Sequence, residues 1–386
     1  MRKFNISVVL GIRPDFIRTS KVLKLLKSHP QINATFISTG QHYDHNLNGI
    51  FLDQLGVPHP DIVLDTKGET HCEQHSKLIA QLEKVLIETK PDVCLFLGDA
   101  NAVIGCIVPL KLGIPIAHIE AGMRSYDWRM PEERNRVIID RVSDVLYVYH
   151  NNYKCNLVRE GINPSRIEVV GNVIVDVVNE YSYQSMLAWG EVKNKLGLDY
   201  ERPFALLTMH RNENVSNREL AQQYVNAVGK TCDLNGIKTV ILPAMPRFKA
   251  LNLTLPSPTK FIQTEPLGFF EFLALEEHAR IEFTDSGTNQ EVAAIVNTPC
   301  VVLRNCTERP ECFEAGNNKL ASTPLDVFSA AKEVMAASNN EDFSLGDGKS
   351  SQRIVDDLVK RLNKNVFTNM RLNPCMDYDV LSHFDK

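Results

Sequence analysis

Short apolar runs rich in β-branched residues alternate with longer amphipathic stretches along the whole chain. This alternation is typical of a parallel α/β sheet, in which each helix returns the chain to the start of the next strand. The strands predicted in the first half are Ile6–Leu10, Ala34–Ser38, Val93–Leu97, Ile116–Ile119, Val145–Tyr149 and Ile167–Val170. Those predicted in the second half are Ala205–Thr208, Thr239–Leu242, Lys260–Gln263, Ile281–Thr284 and Cys300–Leu303.

The two sets of strands predict two doubly wound, Rossmann-like α/β domains. A length of 386 residues is sufficient for two hydrophobic cores. We expect an N-terminal domain over 1–175, a C-terminal nucleotide-binding domain over 176–365, and a tail over 366–386 with little periodicity. Two such domains facing each other would bind a ligand in the cleft where the carboxyl ends of their strands meet.

Composition narrows the classes of protein that remain. The chain is 44% hydrophobic and 23% charged, as in ordinary globular proteins. A net charge of −5 argues against a nucleic-acid partner bound by a broad basic face. No apolar run approaches the roughly 20 residues that cross a bilayer, and nothing at the start resembles a signal peptide. The nine cysteines form no CxxC pair and are expected to be reduced, so we expect a cytoplasmic protein with no membrane partner.

Unusual polar residues follow the predicted strands, where a ligand site of such a fold would lie. The segments are Gly11–Asp15, Thr39–His42, Gly98–Asn101 and Glu120 in the first half, and His210–Asn214, Asp285–Thr288 and Arg304–Glu311 in the second. Glu120 ends an apolar strand, and Pro131-Glu132-Glu133 soon afterwards opens a helix thick with arginines. Carboxylates in such places suit proton transfer beside an anion, whereas a solvated charged loop is the alternative interpretation.

The candidate acid–base groups are Asp99, Glu120, either Glu132 or Glu133, and His210. Several carboxyl groups in one site can hold different protonation states, and so divide the roles of acid and base. A lone histidine is more often a structural hydrogen-bonding group, so His210 gains weight only from its polar neighbours. We expect no metal, because the chain has neither an HxH nor an HExxH cluster.

The candidate anion site is the small-residue turn at 285–288, which leads into a helix. Backbone N–H groups and the helix dipole at such a turn suit a phosphate, although a plain N-capped turn has the same pattern. Arg13, Arg18 and Arg309 could add charge-assisted contacts to a diphosphate.

Seven motifs, taken in order, point to one family. They are Gly11-Ile12-Arg13-Pro14, Thr39-Gly40-Gln41-His42, His118-Ile119-Glu120-Ala121-Gly122-Met123-Arg124, Pro131-Glu132-Glu133-Arg134-Asn135-Arg136, His210-Arg211-Asn212-Glu213-Asn214, Asp285-Ser286-Gly287, and Glu308-Arg309-Pro310-Glu311 with Glu314-Ala315-Gly316. Together they resemble the non-hydrolysing UDP-N-acetylglucosamine 2-epimerases. The resemblance implies a glycosyltransferase-B-like fold, a UDP-sugar in the interdomain cleft, no cofactor, and a homodimer.

The resemblance also implies roles for individual residues. The catalytic positions match Asp99, Glu120, Glu132 and His210, and the nucleotide contacts match Arg13, Arg18, Ser286, Gly287, Thr288 and Arg309. Phe272 matches a residue beside the uracil, with a core aromatic as its alternative. The implied reaction eliminates UDP to a 2-acetamidoglycal and adds it back with C2 inverted, for surface-polysaccharide precursors. The sequence Phe16-Ile17-Arg18-Thr19 is similar to the branch that acts on UDP-linked diacetamido uronic acids or N-acetylfucosamine.

Two departures from the family pattern concern the nucleotide. The family usually has a second glycine where this chain has Thr288, and commonly has a ribose-binding carboxylate where it has Val292. Either Glu291 takes over that contact by a local shift, or ribose binding is altered. The alternative functions are therefore a glycosyltransferase of the same fold and a non-catalytic UDP-sugar-binding protein derived from it.

Overall fold

The computed structural model describes residues 3–40, 50–199, 203–337, 340 and 343–367. Gln41 and His42 of the second motif, and the expected tail after residue 367, lie outside the described residues. The chain forms two compact units, of which one holds the chain up to Val177 and from Gly346 onward, and the other holds Val178–Leu345.

The first unit is built on a seven-stranded sheet whose strands all pair in parallel. Its strands are β1 Phe4–Leu10, β2 Ile32–Ser38, β3 Ile62–Val63, β4 Val93–Leu97, β5 Ile116–Ile119, β6 Val145–Val148 and β7 Ile167–Val169, in the order β3-β2-β1-β4-β5-β6-β7. Its helices are α1 Arg13–Ser28, α2 Ile50–Gln54, α3 His71–Thr89, α4 Ile107–Leu112, α5 Pro131–Val142, α6 Asn151–Arg159 and the start of α7 Val173–Leu196, with 3-10 turns at Asn101–Cys106 and Pro164–Arg166.

The central strands of this sheet are buried along their whole length because helices cover both faces. Buried strands in a parallel sheet are continuous apolar runs, which is the pattern that the sequence shows at β4 to β6. Helix α3 packs on the sheet through Leu78, Leu82 and Leu86, which are spaced four residues apart and lie on one face. Thr70 caps its first turn by accepting a hydrogen bond from the amide of Glu73 at 3.1 Å.

The second unit repeats this plan on a six-stranded parallel sheet. Its strands are β8 Phe204–Thr208, β9 Thr239–Pro243, β10 Lys260–Thr264, β11 Ile281–Thr284, β12 Cys300–Val302 and β13 Asn318–Leu320, in the order β10-β9-β8-β11-β12-β13. Its helices are α8 Asn212–Val215, α9 Arg218–Leu234, α10 Pro246–Lys249, α11 Phe269–His278, α12 Gly287–Val296, α13 Glu311–Glu314 and α14 Val327–Ala336, with a 3-10 turn at Pro324–Asp326. The predicted fold class of two doubly wound domains is confirmed.

The last described helix, α15 (Ser350–Asn363), returns to the first unit and packs against α1. The sequence analysis placed residues 346–365 in the second domain, and the structure places them in the first. The physical reason is Asp176, a buried carboxylate that accepts hydrogen bonds from the amides of Ser350 at 3.1 Å and Ser351 at 2.6 Å.

In each sheet the chain reverses its winding direction between two neighbouring strands. The reversal lies between β1 and β4 in the first unit and between β8 and β11 in the second. Ligands of doubly wound sheets bind beyond the carboxyl ends of the strands at this switch point. The segments that follow these four strands are therefore the place to look for a site.

Among the described residues, no helix is long and apolar enough to cross a membrane.

Candidate active site

Glu120 lies directly after β5 and is almost completely buried, with 1% of its surface exposed. Its backbone has a φ of +72°, a left-handed conformation that costs a non-glycine residue about 1–2 kcal/mol. The carboxylate forms an ion pair with the buried guanidinium of Arg18 on α1. The structure therefore joins two of the predicted site residues, and the arginine favours the ionised form of the carboxylate.

Asp15 approaches the same position, although the sequence analysis gave it no role. A methyl group on Gly98 would lie 3.9 Å from Asp15 Oδ1 and 4.0 Å from Glu120 Oε2, so both carboxyl groups converge on one point of the backbone. The other oxygen of Asp15 accepts hydrogen bonds from the amides of Gly11 and Ile12, each at 3.1 Å. Burial raises the pKa of Asp15 to about 7, although these amides and Arg18 favour its charged form.

Asp99 follows β4 and Gly98 at the switch point of the first sheet. Its Oδ2 accepts a hydrogen bond of 2.5 Å from Arg136 Nη2, and its backbone carbonyl accepts one of 2.9 Å from Asn135 Nδ2. Both partners belong to α5, so this helix fixes the turn that carries Asp99. The side chain of Asp99 keeps 24% of its surface exposed, so a ligand can reach it.

The two neighbouring glutamates of α5 have different environments. Glu133 is buried and accepts hydrogen bonds from the amides of Ser125 and Tyr126 at 3.0 Å and from Arg136 Nη1 at 2.5 Å. Glu132 is half-buried, and its side chain makes no hydrogen bond or ion pair with any residue that the structure describes. Glu133 therefore holds the 125–126 loop in place, and Glu132 is the one of the pair available to a ligand.

Arg13 is the first residue of α1 and is half-buried. Burial lowers the pKa of Arg13 from its ordinary value. Of the residues predicted for the first unit, the contacts join Arg18 to Glu120, and Gly98 brings Asp15 to the same carboxylate. Asp99 has a separate partner in Arg136.

In the second unit, Asp285 organises the loops at the switch point. This fully buried carboxylate accepts hydrogen bonds of 3.0 Å from the His210 amide, 2.9 Å from the Arg211 amide and 3.0 Å from Asn214 Nδ2. The Nδ1 atom of His210 lies 3.3 Å from Asp285 Oδ1, while 45% of the histidine side chain is exposed. The predicted His210 is therefore an accessible imidazole on a loop that a buried carboxylate fixes.

The turn after β11 forms the N-terminus of α12. The side chain of Ser286 caps the helix by accepting from the Asn289 amide at 3.4 Å, and the Ser286 amide donates to Thr284 Oγ1 at 3.0 Å. Thr288, the second residue of the helix, is half-buried. The first amides of a helix bind anions through their N–H groups and the helix dipole. This turn has that geometry, as the sequence predicted.

Arg309 lies behind this turn and does not project freely toward a ligand. Its side chain is buried, with Nε 3.0 Å from Glu291 Oε1 and Nη1 paired with Glu308. A methyl group on Gly287 would lie 2.8 Å from Arg309 Cζ, so glycine is needed there to accommodate the guanidinium. Glu291 is committed to this ion pair, and Val292 beside it is buried.

Phe272, on α11, packs against the buried cluster that includes Leu275 and Phe204. This packing corresponds to the core-aromatic alternative, and it leaves the side chain partly exposed.

Within the described part of the chain, no three histidine, cysteine, aspartate or glutamate residues are grouped so that they could hold a metal ion.

Sequence reasoning gave no supporting role to the side chains around these carboxylates, and it considered Glu133 only as an acid–base candidate. Asp15, Arg136 and Glu133 have partners that only the fold brings near, such as the pair of Arg136 with Asp99, 37 positions apart. The one signal available was the run of arginines in α5, which gave no indication of which arginine is buried.

Comparison with known proteins places this geometry in a family. A family model described as UDP-N-acetylglucosamine 2-epimerase matches residues 24–359. A protein of Methanocaldococcus jannaschii named UDP-N-acetylglucosamine 2-epimerase is 39% identical over 363 residues, which cover 91% of this chain and 97% of the relative. A protein of Pseudomonas aeruginosa named UDP-2,3-diacetamido-2,3-dideoxy-D-glucuronate 2-epimerase is 33% identical over 360 residues, with coverage of 92% and 99%.

A solved structure agrees with these relatives. The crystal structure of the Methanocaldococcus jannaschii UDP-GlcNAc 2-epimerase in complex with UDP-GlcNAc and UDP is similar at a TM-score of 0.86 and 37% identity. The similarity covers 92% of this chain and 100% of that one. The resemblance inferred from the motifs is confirmed, and the chain belongs to the UDP-N-acetylglucosamine 2-epimerase family.

Proposed function

We propose that the protein is a UDP-N-acetylhexosamine 2-epimerase, which inverts C2 of the sugar to supply precursors of surface polysaccharides. The observation that carries the proposal is the group of carboxylates at the switch point of the first sheet, where Asp99 and Glu120 each pair with a buried arginine. Family membership supports the same activity, as does the relative of similar fold that was solved with UDP-GlcNAc and UDP.

Inversion at C2 is difficult because the hydrogen on that carbon is not acidic. If the C1–O bond to UDP breaks first, positive charge develops at C1 and makes the C2 hydrogen acidic. A base removes that proton, which leaves UDP and a 2-acetamidoglycal. Return of a proton to the opposite face of C2, with re-addition of the UDP oxygen to C1, gives the epimer. The reaction therefore needs carboxyl groups for both faces and hydrogen-bond donors for the departing diphosphate.

In this proposal the first unit supplies the proton-transfer groups. Arg18 pairs with Glu120 and Arg136 pairs with Asp99, so each arginine holds its carboxylate in place. Glu132 has no such partner among the residues that the structure describes, so its carboxyl group is available to the ligand. These three groups exchange protons with the sugar.

The second unit supplies the nucleotide contacts. The amides that follow Ser286 hold the diphosphate, with Gly287 and Thr288 forming the wall of the turn. His210 donates a hydrogen bond to the departing phosphate oxygen, and Arg13 of the first unit adds a positive charge that stabilises the diphosphate. Because Arg309 is already paired with two carboxylates, it supports the turn at Gly287 more than it neutralises the diphosphate. Phe272 contacts the uracil through the part of its ring that the core leaves exposed.

A glycosyltransferase of the same fold is the first alternative, but transfer at C1 does not need several carboxylates for proton exchange at C2. A non-catalytic UDP-sugar-binding protein is the second alternative, and one observation favours it. Val292 is buried and apolar where the family commonly has a ribose-binding carboxylate, and Glu291 is already engaged by Arg309. Turnover, as opposed to binding, is therefore the quantity to measure.

Two further features belong to the proposal. The protein acts in the cytoplasm, which agrees with the eight cysteines of the described residues, all of them free thiols. It acts as a homodimer, for which the first unit offers exposed apolar side chains at Ile87, Leu110, Leu112 and Ile138 on α3, α4 and α5. Sedimentation velocity would then give a particle of twice the chain's mass.

The test is to incubate the protein with a panel of UDP-HexNAc sugars and to follow each by proton NMR. The panel includes UDP-GlcNAc, UDP-linked diacetamido uronic acids and UDP-N-acetylfucosamine-type sugars. We expect at least one sugar to be converted to its C2 epimer without any acceptor. Tight UDP binding with no conversion of any sugar would favour the non-catalytic alternative, and conversion only in the presence of an acceptor would favour the transferase.

A further inference from the structure

His118 lies inside the first unit on β5, two residues before Glu120, and none of its surface is exposed. Its ring has two hydrogen-bond partners: Asp140 Oδ1 lies 2.7 Å from Nδ1, and the backbone carbonyl of Gly98 lies 2.8 Å from Nε2. Both partners are hydrogen-bond acceptors, so the ring faces an acceptor at each of its two nitrogens. The chemistry proposed above makes no use of this buried ring.

Asp140, on α5, extends the network with its second oxygen. Oδ2 accepts hydrogen bonds of 3.0 Å from the amide of Gly122 and 2.7 Å from Arg124 Nη1. Arg124 in turn forms an ion pair of 2.7 Å with Glu160. Burial by itself would raise the pKa of Asp140, but the hydrogen bonds and charges of His118 and Arg124 outweigh it and hold that pKa below its usual value. Asp140 therefore binds the His118 ring, the Gly122 amide and the Arg124 side chain at once, inside the buried part of the unit.

The backbone groups bound by this network adjoin the two proposed catalytic carboxylates. Gly98, whose carbonyl accepts from His118, immediately precedes Asp99. Gly122, whose amide donates to Asp140, lies two residues after Glu120. Two side chains that are hydrogen-bonded to each other, those of His118 and Asp140, thus join the turn of Asp99 to the turn of Glu120. The unfavourable left-handed backbone of Glu120 persists only if its surroundings fix it, and these hydrogen bonds are part of those surroundings.

We propose that His118, together with Asp140, is a positioning residue that sets the separation of Asp99 and Glu120. The inference rests on the proposed epimerase function, because those two carboxylates must both reach one sugar ring. A displacement of about 1 Å in a reacting group can lower a rate by about 10²-fold, so a rigid link between the two turns has a direct effect on turnover.

Two substitutions of His118 test the two hydrogen bonds of the ring one at a time. His118→Gln keeps a donor close to the position of Nε2, and so keeps the bond to the Gly98 carbonyl while losing the bond to Asp140. His118→Asn keeps a donor close to the position of Nδ1 and does the opposite. Asp140→Asn leaves the ring intact but removes the charge opposite it. Ile116→Ala is the matched control, because it opens a cavity on the same strand, fully buried, without touching the network.

The experiment measures kcat, KM, UDP affinity and melting temperature for these variants with the UDP-HexNAc that the wild type epimerises. We expect kcat to fall by about 10²-fold in the three network variants, while KM and UDP affinity change by no more than about threefold. Misplaced carboxylates should also fail to complete the return step, so free UDP and 2-acetamidoglycal should accumulate. Ile116→Ala should lose melting temperature but keep its kcat and release no glycal.

The inference is overturned if His118→Gln and His118→Asn, when folded, keep a kcat within about threefold of the wild type, or lose it only as Ile116→Ala does. Absence of any epimerisation by the wild type would instead refute the proposed function, and the inference with it. If the variants do not fold, a measurement on the unaltered protein still tests the inference. Nitrogen-15 NMR of labelled histidine should show one ring with an N–H proton protected from exchange with solvent, as a fully buried ring between two acceptors should be, and a His118 ring without a protected N–H proton would contradict the inference.

Discussion

At the scale of single residues, three carboxylates of the candidate site each pair with an arginine. Glu120 pairs with Arg18, Asp99 with Arg136, and Glu291 with Arg309. Buried ion pairs gain little stability over apolar packing, but the loss of one partner leaves an uncompensated charge. The pairs therefore fix the positions of these side chains, and substitutions that keep the shape but remove the charge are the most informative.

Glu120→Gln is the first such substitution. The amide can still accept a hydrogen bond from Arg18, so the fold should persist, but it cannot take a proton from C2. We expect kcat to fall by about 10³-fold, within the range for loss of a general base, with UDP affinity changed by less than about threefold. Steady-state kinetics and calorimetry with UDP measure the two quantities. Glu83→Gln, an exposed position on α3, is the control, and normal turnover in Glu120→Gln would exclude the base role.

Glu282 gives a prediction about pH and stability. It is fully buried on β11, where Oε1 accepts from Asn289 Nδ2 at 2.8 Å and Oε2 has no partner among the described residues. Burial raises the pKa of Glu282 above its ordinary value of 4.5, and burial with the charge of Glu282 raises the pKa of nearby Glu276 as well. The folded protein therefore binds more protons than the unfolded chain once the pH exceeds the ordinary carboxyl range.

By linkage, the free energy of unfolding should decrease as the pH rises from about 5 to 8, because protons leave the buried carboxyl groups. Glu282→Gln keeps the hydrogen bond from Asn289 and removes the titration. It should raise the free energy of unfolding at pH 8 by about 1–3 kcal/mol, with a smaller gain at pH 5. Denaturant titrations at the two pH values test this, with the exposed Glu219→Gln as control. An equal effect at both pH values would contradict the assignment.

The sequence predicts roles for Asp99, Glu120 and His210 because each follows an apolar strand, and the hydrophobic pattern alone is enough to locate such positions. It could not separate Glu132 from Glu133, since their difference is which face of α5 meets the 125–126 loop. Nor could it identify the partner of Glu120, because Arg18 lies 102 positions away in the chain. Contacts of this kind depend on sheet order, which the periodicity of the sequence does not encode.

At the scale of secondary structure, α15 supports the helix that carries Arg13, Asp15 and Arg18. It packs on α1, and the buried carboxylate of Asp176 caps it through the amides of Ser350 and Ser351. A buried carboxylate at a helix N-terminus both satisfies amides that have no partner within the helix and interacts favourably with the helix dipole.

Asp176→Ala should leave those two amides buried without an acceptor. We expect a loss of about 2–4 kcal/mol in the free energy of unfolding, together with faster amide hydrogen exchange in α15 and α1. Hydrogen exchange read by mass spectrometry localises the effect. The control is Asp356→Ala, because this exposed residue of α15 has one side-chain hydrogen bond among the described residues, from Gln352 Nε2 at 2.8 Å. If exchange in α1 is unchanged, α15 does not support the site.

Two strands and the position of one helix could not be predicted from the sequence, and each case has a physical reason. All eleven predicted strands are present, but β3 and β13 are additional edge strands of two and three residues. Such short edges have no apolar run, because only one side of the strand is paired and part of it is exposed. The membership of α15 was assigned wrongly for another reason: its amphipathic pattern identifies a buried face but not the unit that covers it.

At the scale of the whole molecule, both units follow one design. Each has a doubly wound parallel sheet, and most candidate residues follow the strands that flank the switch point or, as Glu120 does after β5, the strand next to them. The first unit presents paired carboxylates, and the second presents a helix N-terminus and an accessible imidazole. This division matches a reaction in which the sugar exchanges protons while the diphosphate is held, which is the central claim.

Exchange of the C2 hydrogen with solvent tests that claim most directly. The wild type, Asp99→Asn and Glu120→Gln are incubated in deuterium oxide with the sugar that the wild type epimerises, and the products are examined by NMR and mass spectrometry. The account predicts one deuterium at C2 of every epimer formed by the wild type, transient 2-acetamidoglycal with UDP, and loss of this exchange in both variants. An epimer that keeps its original C2 hydrogen, or exchange that survives in both variants, would contradict it.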